Sequence, residues 1–507
     1  MPAMRSFTLA LALLLVAAIP ARASAFPEIT VIDINTGNSG ADSSYPYELA
    51  ALDDYLYFNA EGAPNGRELW RTTGTTPELV EDINTNGTSG VDSSHPWGFT
   101  AFGGYLYFSA GDGTHGRELW RTNGTTTEIV EDINTTGADS SNPSGFTALG
   151  DYLYFSADDG THGQELWRTN GTTITELVEN INLGTSGADS SNPLYFTVFN
   201  GYLYFNANDG THAQELWRTN GTTTALVEDI NTNGTDFSDP YDFTALNGYL
   251  YFSANDGTHG RELWRTNGTE LGTTLVANIN TNGTDGVDSS SLGAFTAFGE
   301  WVYFSANDGT HGRELWRTNG TTTEIVEDIN ATGADSSDSS NFTAFNGYLY
   351  FQAADGAHGP ELWRTNGTQL GTTLVQDINT GTGGADGSYP YALTALGDYL
   401  YFLRGADTVN NLWRIGSSGL AESVTPPGTN PNFSCECYPL SALNGRLYMF
   451  LSSDETGGEL AYLDEPTFVL PPTNRDGSMW STALVILAAL TAVAGVGLRL
   501  RKGSLAK

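Results

Sequence analysis

One tripeptide returns at a nearly constant interval through most of this chain. Trp70, Trp120, Trp167, Trp217, Trp264, Trp316, Trp363 and Trp413 are spaced 50, 47, 50, 47, 52, 47 and 50 residues apart. Seven stand in Glu-Leu-Trp, the eighth in Asn411-Leu412-Trp413, and a decayed ninth copy reads Glu459-Leu460-Ala461-Tyr462. A repeat of this length points to a propeller, a solenoid or an array, because each unit buries its apolar face only against its neighbours. What every unit copies is read as scaffold. Function is sought in what the units do not copy.

The unit from Pro143 to Ser190 shows the pattern. Four short runs follow one another: Phe146–Leu149 (A), Tyr152–Phe155 (B), Glu165–Thr169 (C) and Thr175–Ile181 (D). A Gly-Asp turn, an Asp-Asp-Gly-Thr-His-Gly loop and an Asn-Gly turn separate them; Asn-Gly is a strong hairpin signal. Four strands joined by turns make one antiparallel sheet, and repeated sheets of this size build propeller blades. The expected fold is all-β: a β-propeller of nine, alternatively eight, four-stranded antiparallel blades. The phase of the ends supports closure. Glu28–Ile34 matches strand D and has no A, B or C of its own before it, so it can complete the last blade. Thr467–Leu470 is the alternative ninth D strand, and an open solenoid remains the other topology.

Glu262-Leu-Trp-Arg-Thr-Asn-Gly-Thr269, continued by Leu271-Gly-Thr-Thr-Leu-Val276 and echoed by Gln369–Val375, resembles the ELWxxDGT repeat family. The resemblance runs from about Ile29 to Leu463, with Asn123 or Asn267 where the family has Asp. It implies a secreted or surface repeat protein, mostly of bacteria, and no defined activity.

The charge is −38, and the only lysines are Lys502 and Lys507, so the repeats project a negative field. Nucleic acid is excluded as a partner, because phosphate neutralisation needs patches of Lys and Arg. The ends carry membrane signals. Residues 1–25 read as a signal peptide with Ala23-Ser24-Ala25 before the cut. The propeller is expected over 26–470 and a linker over 471–478. Residues 479–498 form an uncharged apolar stretch long enough to span a bilayer, and 499–507 a basic cytoplasmic tail. Leu470-Pro-Pro-Thr-Asn474 resembles a sortase signal of the Leu-Pro-x-Thr-Gly type, with Asn474 in place of Gly. The expected location is the cell surface, with the repeats outside.

Asp82, Asn84 and Asn86 before Gly87 fit the start of a calcium loop, with Asp92 as a later carboxylate. Asp229, Asn231, Asn233 and Asp239 repeat the pattern, and Asn278, Asn280, Asn282 and Asp288 nearly do. The Glu expected at the twelfth position is missing, so these are no EF-hands; plain Asx turns are the other reading. His115, His162, His212, His259, His311 and His358 recur one per unit in the B–C loop. Spread around a rim, they do not converge on a zinc ion, and a loop hydrogen bond is their expected role. Trp and Leu of strand C are expected to form inter-blade core, with Arg–Glu pairs bridging blades. Cys435 and Cys437 are candidates for a disulfide, within the chain or between chains.

Strand order places the D–A and B–C loops on one face of the ring. The sequence therefore reads as a surface-anchored binding or adhesion scaffold for a protein or glycan, with calcium as the one candidate cofactor. No catalytic pair stands out, and no enzyme is expected. The alternatives are a calcium-dependent enzyme on a propeller scaffold and a purely structural envelope protein.

Overall fold

A computed structural model describes residues 29–464, apart from 36–42, 86–92, 137–138, 173, 185–188, 233–236, 282–288, 332–334, 381–385, 406–410, 425–439 and 454–456. Nine four-stranded sheets are present, each ordered A-B-C-D with antiparallel neighbours. Blade 1 comprises Tyr47–Leu52, Tyr55–Gly62, Gly66–Thr72 and Pro77–Glu81. Blade 4 comprises Leu194–Phe199, Tyr202–Asn208, Gln214–Thr219 and Thr224–Glu228. Blade 5 begins at Tyr241–Leu246, and blade 8 ends at Ala421–Ser423. The A strands touch one another in sequence around the whole circle, and the A strand of the ninth blade meets that of the first. They are the inner strands of a closed ring.

The expected nine blades are therefore observed, and the eight-blade and solenoid alternatives fall. Blade 9 takes its A, B and C strands from Ser441–Leu443, Arg446–Ser453 and Gly457–Asp464. Its outer strand is Ile29–Ile32 from the other end of the chain, with Ile29 opposite Leu463 and Ile32 opposite Leu460. That pairing fills the place for which Thr467–Leu470 was the other candidate. A closed ring leaves no inner sheet edge to recruit a foreign strand.

Alternation along the strands explains why the blades stack. Tyr107, Leu119 and Ile133 of blade 2 pack against Leu153, Phe155 and Ala157 of blade 3, with Trp167 beside them. The same set joins blade 9 to blade 1: Tyr448, Leu460 and Ile32 meet Leu56, Phe58 and Trp70. These side chains are almost wholly buried, apart from the tryptophans. Each large one contributes roughly 1.5–3 kcal/mol by leaving water. Leu and Trp of the tripeptide are thus inter-blade core, as expected.

The glutamate of the tripeptide plays a different part from the expected ion pair. Glu118 is fully buried. It accepts from the Ile133 amide at 2.9 Å, the Ser141 amide at 2.8 Å and the Ser141 hydroxyl at 2.5 Å. Ile133 lies just past strand D of its own blade (Thr127–Glu131), and Ser141 just before strand A of the next (Ser144–Leu149). One carboxyl therefore fastens both ends of the inter-blade loop. Glu215 repeats this with Ile230 and Ser238. Glu459 does so across the closure, accepting from Ile34 at 3.0 Å and from Ser44 at 3.0 and 2.6 Å.

The arginine pairs elsewhere, which corrects the expected bridge. Arg121 lies 4.3 Å from the Tyr105 ring centroid and donates through Nε to Glu128 of its own strand D at 2.9 Å. The link to the next blade goes to a turn carbonyl: Arg71 to Gly124 at 2.7 Å and Arg168 to Gly221 at 2.6 Å. Arg446 makes the closing copy, to Thr73 at 2.9 Å.

Among the described residues no helix is long and apolar enough to cross a membrane. The described elements are short strands and single 3-10 turns. The expected membrane-anchored surface location is corrected on that ground and not carried forward. The leader 1–25, the pentapeptide 470–474, the stretch 479–498, Cys435 and Cys437 all lie outside the described residues.

Replacing Glu215 by Ala takes an acceptor from three buried donors; the Ser238 amide and hydroxyl keep the Gln214 carbonyl, and the Ile230 amide is left without a partner. Glu215→Ala is expected to destabilise the ring by about 2–4 kcal/mol, read as a lower urea midpoint. Glu128→Ala, which removes a half-exposed partner of an ion pair, should change stability by less than about 1 kcal/mol.

Candidate functional site

The D–A and B–C loops do share one face. In blade 1 the Asn65 side chain of the B–C loop donates to Asp82 at the start of the D–A loop. Between blades, Gly160 of one B–C loop leaves no room for a Cβ against Asn134 of the preceding D–A loop. Each histidine is held inside its own loop. His115 Nδ1 lies 2.7 Å from Asp112 Oδ2, while Asp112 Oδ1 accepts from the amides of Thr114 and His115 at 2.8 Å. His162, His212, His259, His311 and His358 repeat the pairing. The loop hydrogen bond expected from the sequence is what forms.

The calcium candidates are only partly visible. Asn86, Asp92, Asn233, Asn282 and Asp288 lie outside the described residues. Asn84, Asn231 and Asn280 donate side-chain amides to the Ser93, Phe237 and Ser289 carbonyls at 3.3, 3.2 and 3.3 Å, bracing their own loops. Asp82 receives Asn65. Asp239 is drawn to the next C strand: Arg261 donates to its carbonyl at 2.7 Å and lies 3.6 Å from its carboxylate. Asn278 sits between strand D of blade 5 and its loop. Among the described residues no three His, Cys, Asp or Glu side chains group as a metal would require.

The same face carries a pocket that the sequence reading missed. It measures about 260 Å³ and lies where blade 4 meets blade 5. Blade 4 supplies Leu194 and Tyr195 from strand A, Asn206 from strand B and Gln214 from strand C. Blade 5 supplies Asp239, Tyr241 and Arg261. Tyr195 and Tyr241 have ring centroids 6.0 Å apart at 44°, and the Arg261 guanidinium lies 4.7 Å from the Tyr241 centroid. Tyr195 is 54% exposed.

Two amide oxygens in this pocket, Asn206 Oδ1 and Gln214 Oε1, are buried and accept no hydrogen bond. Blade 1 shows why. There Asn59 holds the place of Asn206, and its Oδ1 accepts from Arg67 at 3.0 Å. Blade 4 has Gln214 where blade 1 has Arg67. The shorter side chain leaves both oxygens unpaired and the space open. Serines 109, 253 and 305 hold the same place in blades 2, 5 and 6 and also keep an unpaired hydroxyl. In those blades the C strand starts with Arg117, Arg261 or Arg313. Aligning the units by strand would have exposed the Asn206–Gln214 combination.

No family model matches the chain, and no curated protein matches it. Among solved structures it is similar to a prolyl endopeptidase (12% identity, TM-score 0.37), with 72% of this chain covering 54% of that one. It is also similar to a puromycin-hydrolysing peptidase of Mycobacterium tuberculosis (13%, 0.35), with 70% of this chain covering 57% of that one. A third is the β-propeller domain of the Trilobed protease from Pyrococcus furiosus (8%, 0.35), with 76% of this chain covering all of that one. The chain thus spans little more than half the length of the two peptidases. The expectation that it is no enzyme is corrected by their appearance and is withdrawn. At these identities and TM-scores the likeness carries no argument for a reaction.

Burial dominates the electrostatics of the ring. It raises the pKa of Glu68, Glu215, Glu262, Glu314 and Glu459 to about 7, against the lowering effect of their serine and backbone donors. The hydrogen bond that each histidine donates to its loop aspartate raises His115, His212, His311 and His358. Burial works to raise Asp112, but its bonds from His115 and Thr114 outweigh it and leave it lowered. A raised glutamate binds its proton more tightly folded than unfolded. Its contribution is complete below its unfolded value of 4.5 and fades as pH climbs to about 7. The raised histidines act in the same direction from 6.5 upward, and the lowered aspartates oppose only below 3.8. The melting temperature is therefore expected to rise as pH falls from about 8 to about 5, opposite to ordinary acid destabilisation. A scanning-calorimetry pH series checks it; a melting temperature that falls over that range refutes the assignment.

Proposed function

We propose that this propeller is a binding scaffold whose contact surface is the D–A/B–C face over blades 3 to 5. The carrying observation is the distribution of exposed apolar side chains. Of the eleven large ones among the described residues, Leu183, Leu194, Tyr195 and Phe237 fall in two adjacent D–A loops and at the start of the A strand that follows the first of them. Leu194 and Tyr195 line a pocket whose combination of Tyr195, Asn206 and Gln214 no other blade repeats. Exposed apolar patches rimmed by polar groups are a mark of interaction sites. The partner is a protein or a glycan. The repeated Glu-Leu-Trp motif supports placing the chain with the ELWxxDGT repeat proteins, as part of this reading.

The test is an array of proteins and glycans probed with the labelled chain. Leu183→Ser with Phe237→Ser removes exposed side chains and should leave melting unchanged. It is expected to weaken the wild-type hits at least about tenfold, a loss of about 1.4 kcal/mol. Hits that persist unchanged would move the contact surface elsewhere.

One observation favours calcium as a brace for the D–A loops. Asp82, Asp132, Asp229, Asp328 and Asp377 stand at the same unit position, and each has a buried Oδ1 with no hydrogen-bond partner. Calcium takes six to eight oxygens, and loop carboxylates and carbonyls are its usual source. Calorimetry of the chain with calcium and with chelator is expected to show a higher melting temperature with the ion. Superimposable curves would remove calcium from the account.

A further inference from the structure

We propose that the pocket between blades 4 and 5 binds one neutral pyranose ring, with Tyr195 and Tyr241 against its C–H face and the Asn206 and Gln214 oxygens accepting from its hydroxyls. This deepens the binding-scaffold reading and rests on it.

The ligand class follows from what the pocket lacks. Asn206 is 2% exposed, yet its Oδ1 has no donor, and Gln214 Oε1 is in the same condition. A buried unpaired acceptor costs about 1–3 kcal/mol, which a ligand carrying O–H groups in the right places recovers on binding. A purely apolar or aromatic ligand would leave both oxygens unpaired. An anion would meet those oxygens, the Asp239 carboxylate and the negative field of a chain with net charge −38. A cation would meet Arg261, which already stands over Tyr241. A saccharide avoids all three conflicts. It presents hydroxyl donors along its edge and an apolar C–H face to the two tyrosine rings, whose faces carry partial negative charge. The size agrees: about 260 Å³ holds one sugar ring and not a chain of them. Specificity of this kind is strong, because a site built around hydrogen bonds rejects ligands lacking the matching group.

Sister blades supply substitutions that the fold already tolerates. Gln214→Arg installs the residue that blade 1 has as Arg67, which there satisfies the equivalent amide. Tyr195→Gly installs the residue of blades 2 and 3, Gly98 and Gly145. Tyr195 has φ of 59°, a conformation that glycine adopts without strain. Both variants should therefore melt no lower than wild type by more than a few degrees.

The experiment uses saturation-transfer NMR on the full chain with the methyl glycosides of glucose, galactose and mannose. Tetramethylammonium and inorganic phosphate serve as probes of opposite charge. Transfer to the ring protons of at least one glycoside is expected, lost at least tenfold in Gln214→Arg and in Tyr195→Gly. No transfer to any of the three, equal transfer in Gln214→Arg, or preferential binding of either charged probe would overturn the proposal. The binding-scaffold reading fails separately. It is tested by Leu183→Ser with Phe237→Ser on the array, whose side chains do not line this pocket.

Discussion

The ring depends on a carboxyl group placed where carboxyl groups are seldom found. Glu118 and its counterparts are wholly buried and have no cation beside them. Burying a carboxyl in this way is tolerable only when its acceptors are satisfied, and here three protein donors converge on each of several copies. In return the side chain fixes two points of the chain that would otherwise be joined only by a long polar loop. The end of one blade and the beginning of the next become one rigid unit, and the apolar faces behind them are brought into contact. Blade 8 has Asn411 in place of the glutamate. There the D strand is held by a backbone link, from Val424 to Leu412 at 2.8 Å.

Because the clamp is copied, the loops between the clamped points are free to vary without disturbing the stack. So are the first two residues of strand A, the fifth of strand B and the residue before the glutamate of strand C. In blade 4 those places hold Leu194, Tyr195, Asn206 and Gln214; in blade 1 they hold Tyr47, Glu48, Asn59 and Arg67. The core residues beneath, such as Phe205 and Phe58, stay the same and stay buried. Structure and recognition are thus carried by different positions of one unit, which is how a repeated sheet can present a surface that does not repeat.

Much of this was legible from spacing alone. The aromatic runs and Asn-Gly turns define four strands per unit, and the phase of Ile29–Ile34 against the last unit anticipates closure by the opposite end. The Trp and Leu roles follow from alternation. The glutamate's role did not follow, because its donors lie 15 to 28 residues away in blades such as 2 and 5, and 415 to 425 away at the closure, and include backbone amides, which no side-chain pattern announces. Arginine three residues later made an ion pair the natural expectation, yet adjacent positions on a strand point to opposite faces and this arginine belongs with the strand D glutamate. The pocket stayed hidden for a related reason. Its residues come from three strands of one blade and two of the next, and none is unusual by itself; only the absence of an arginine beside Asn206 makes the place distinctive.

Closure by the opposite end has a consequence for how the ring is made. Ile34 and its acceptor Glu459 are 425 residues apart. At roughly 5–20 residues per second, the strand that a ribosome releases first waits roughly 20 to 90 s for the sheet it belongs to. Through that interval eight blades can stack in order behind it, each against a finished neighbour. Ile29, Val31 and Ile32, which finally seat against blades 8, 9 and 1, have no home. The first-made strand of the ring is thus the last to be covered.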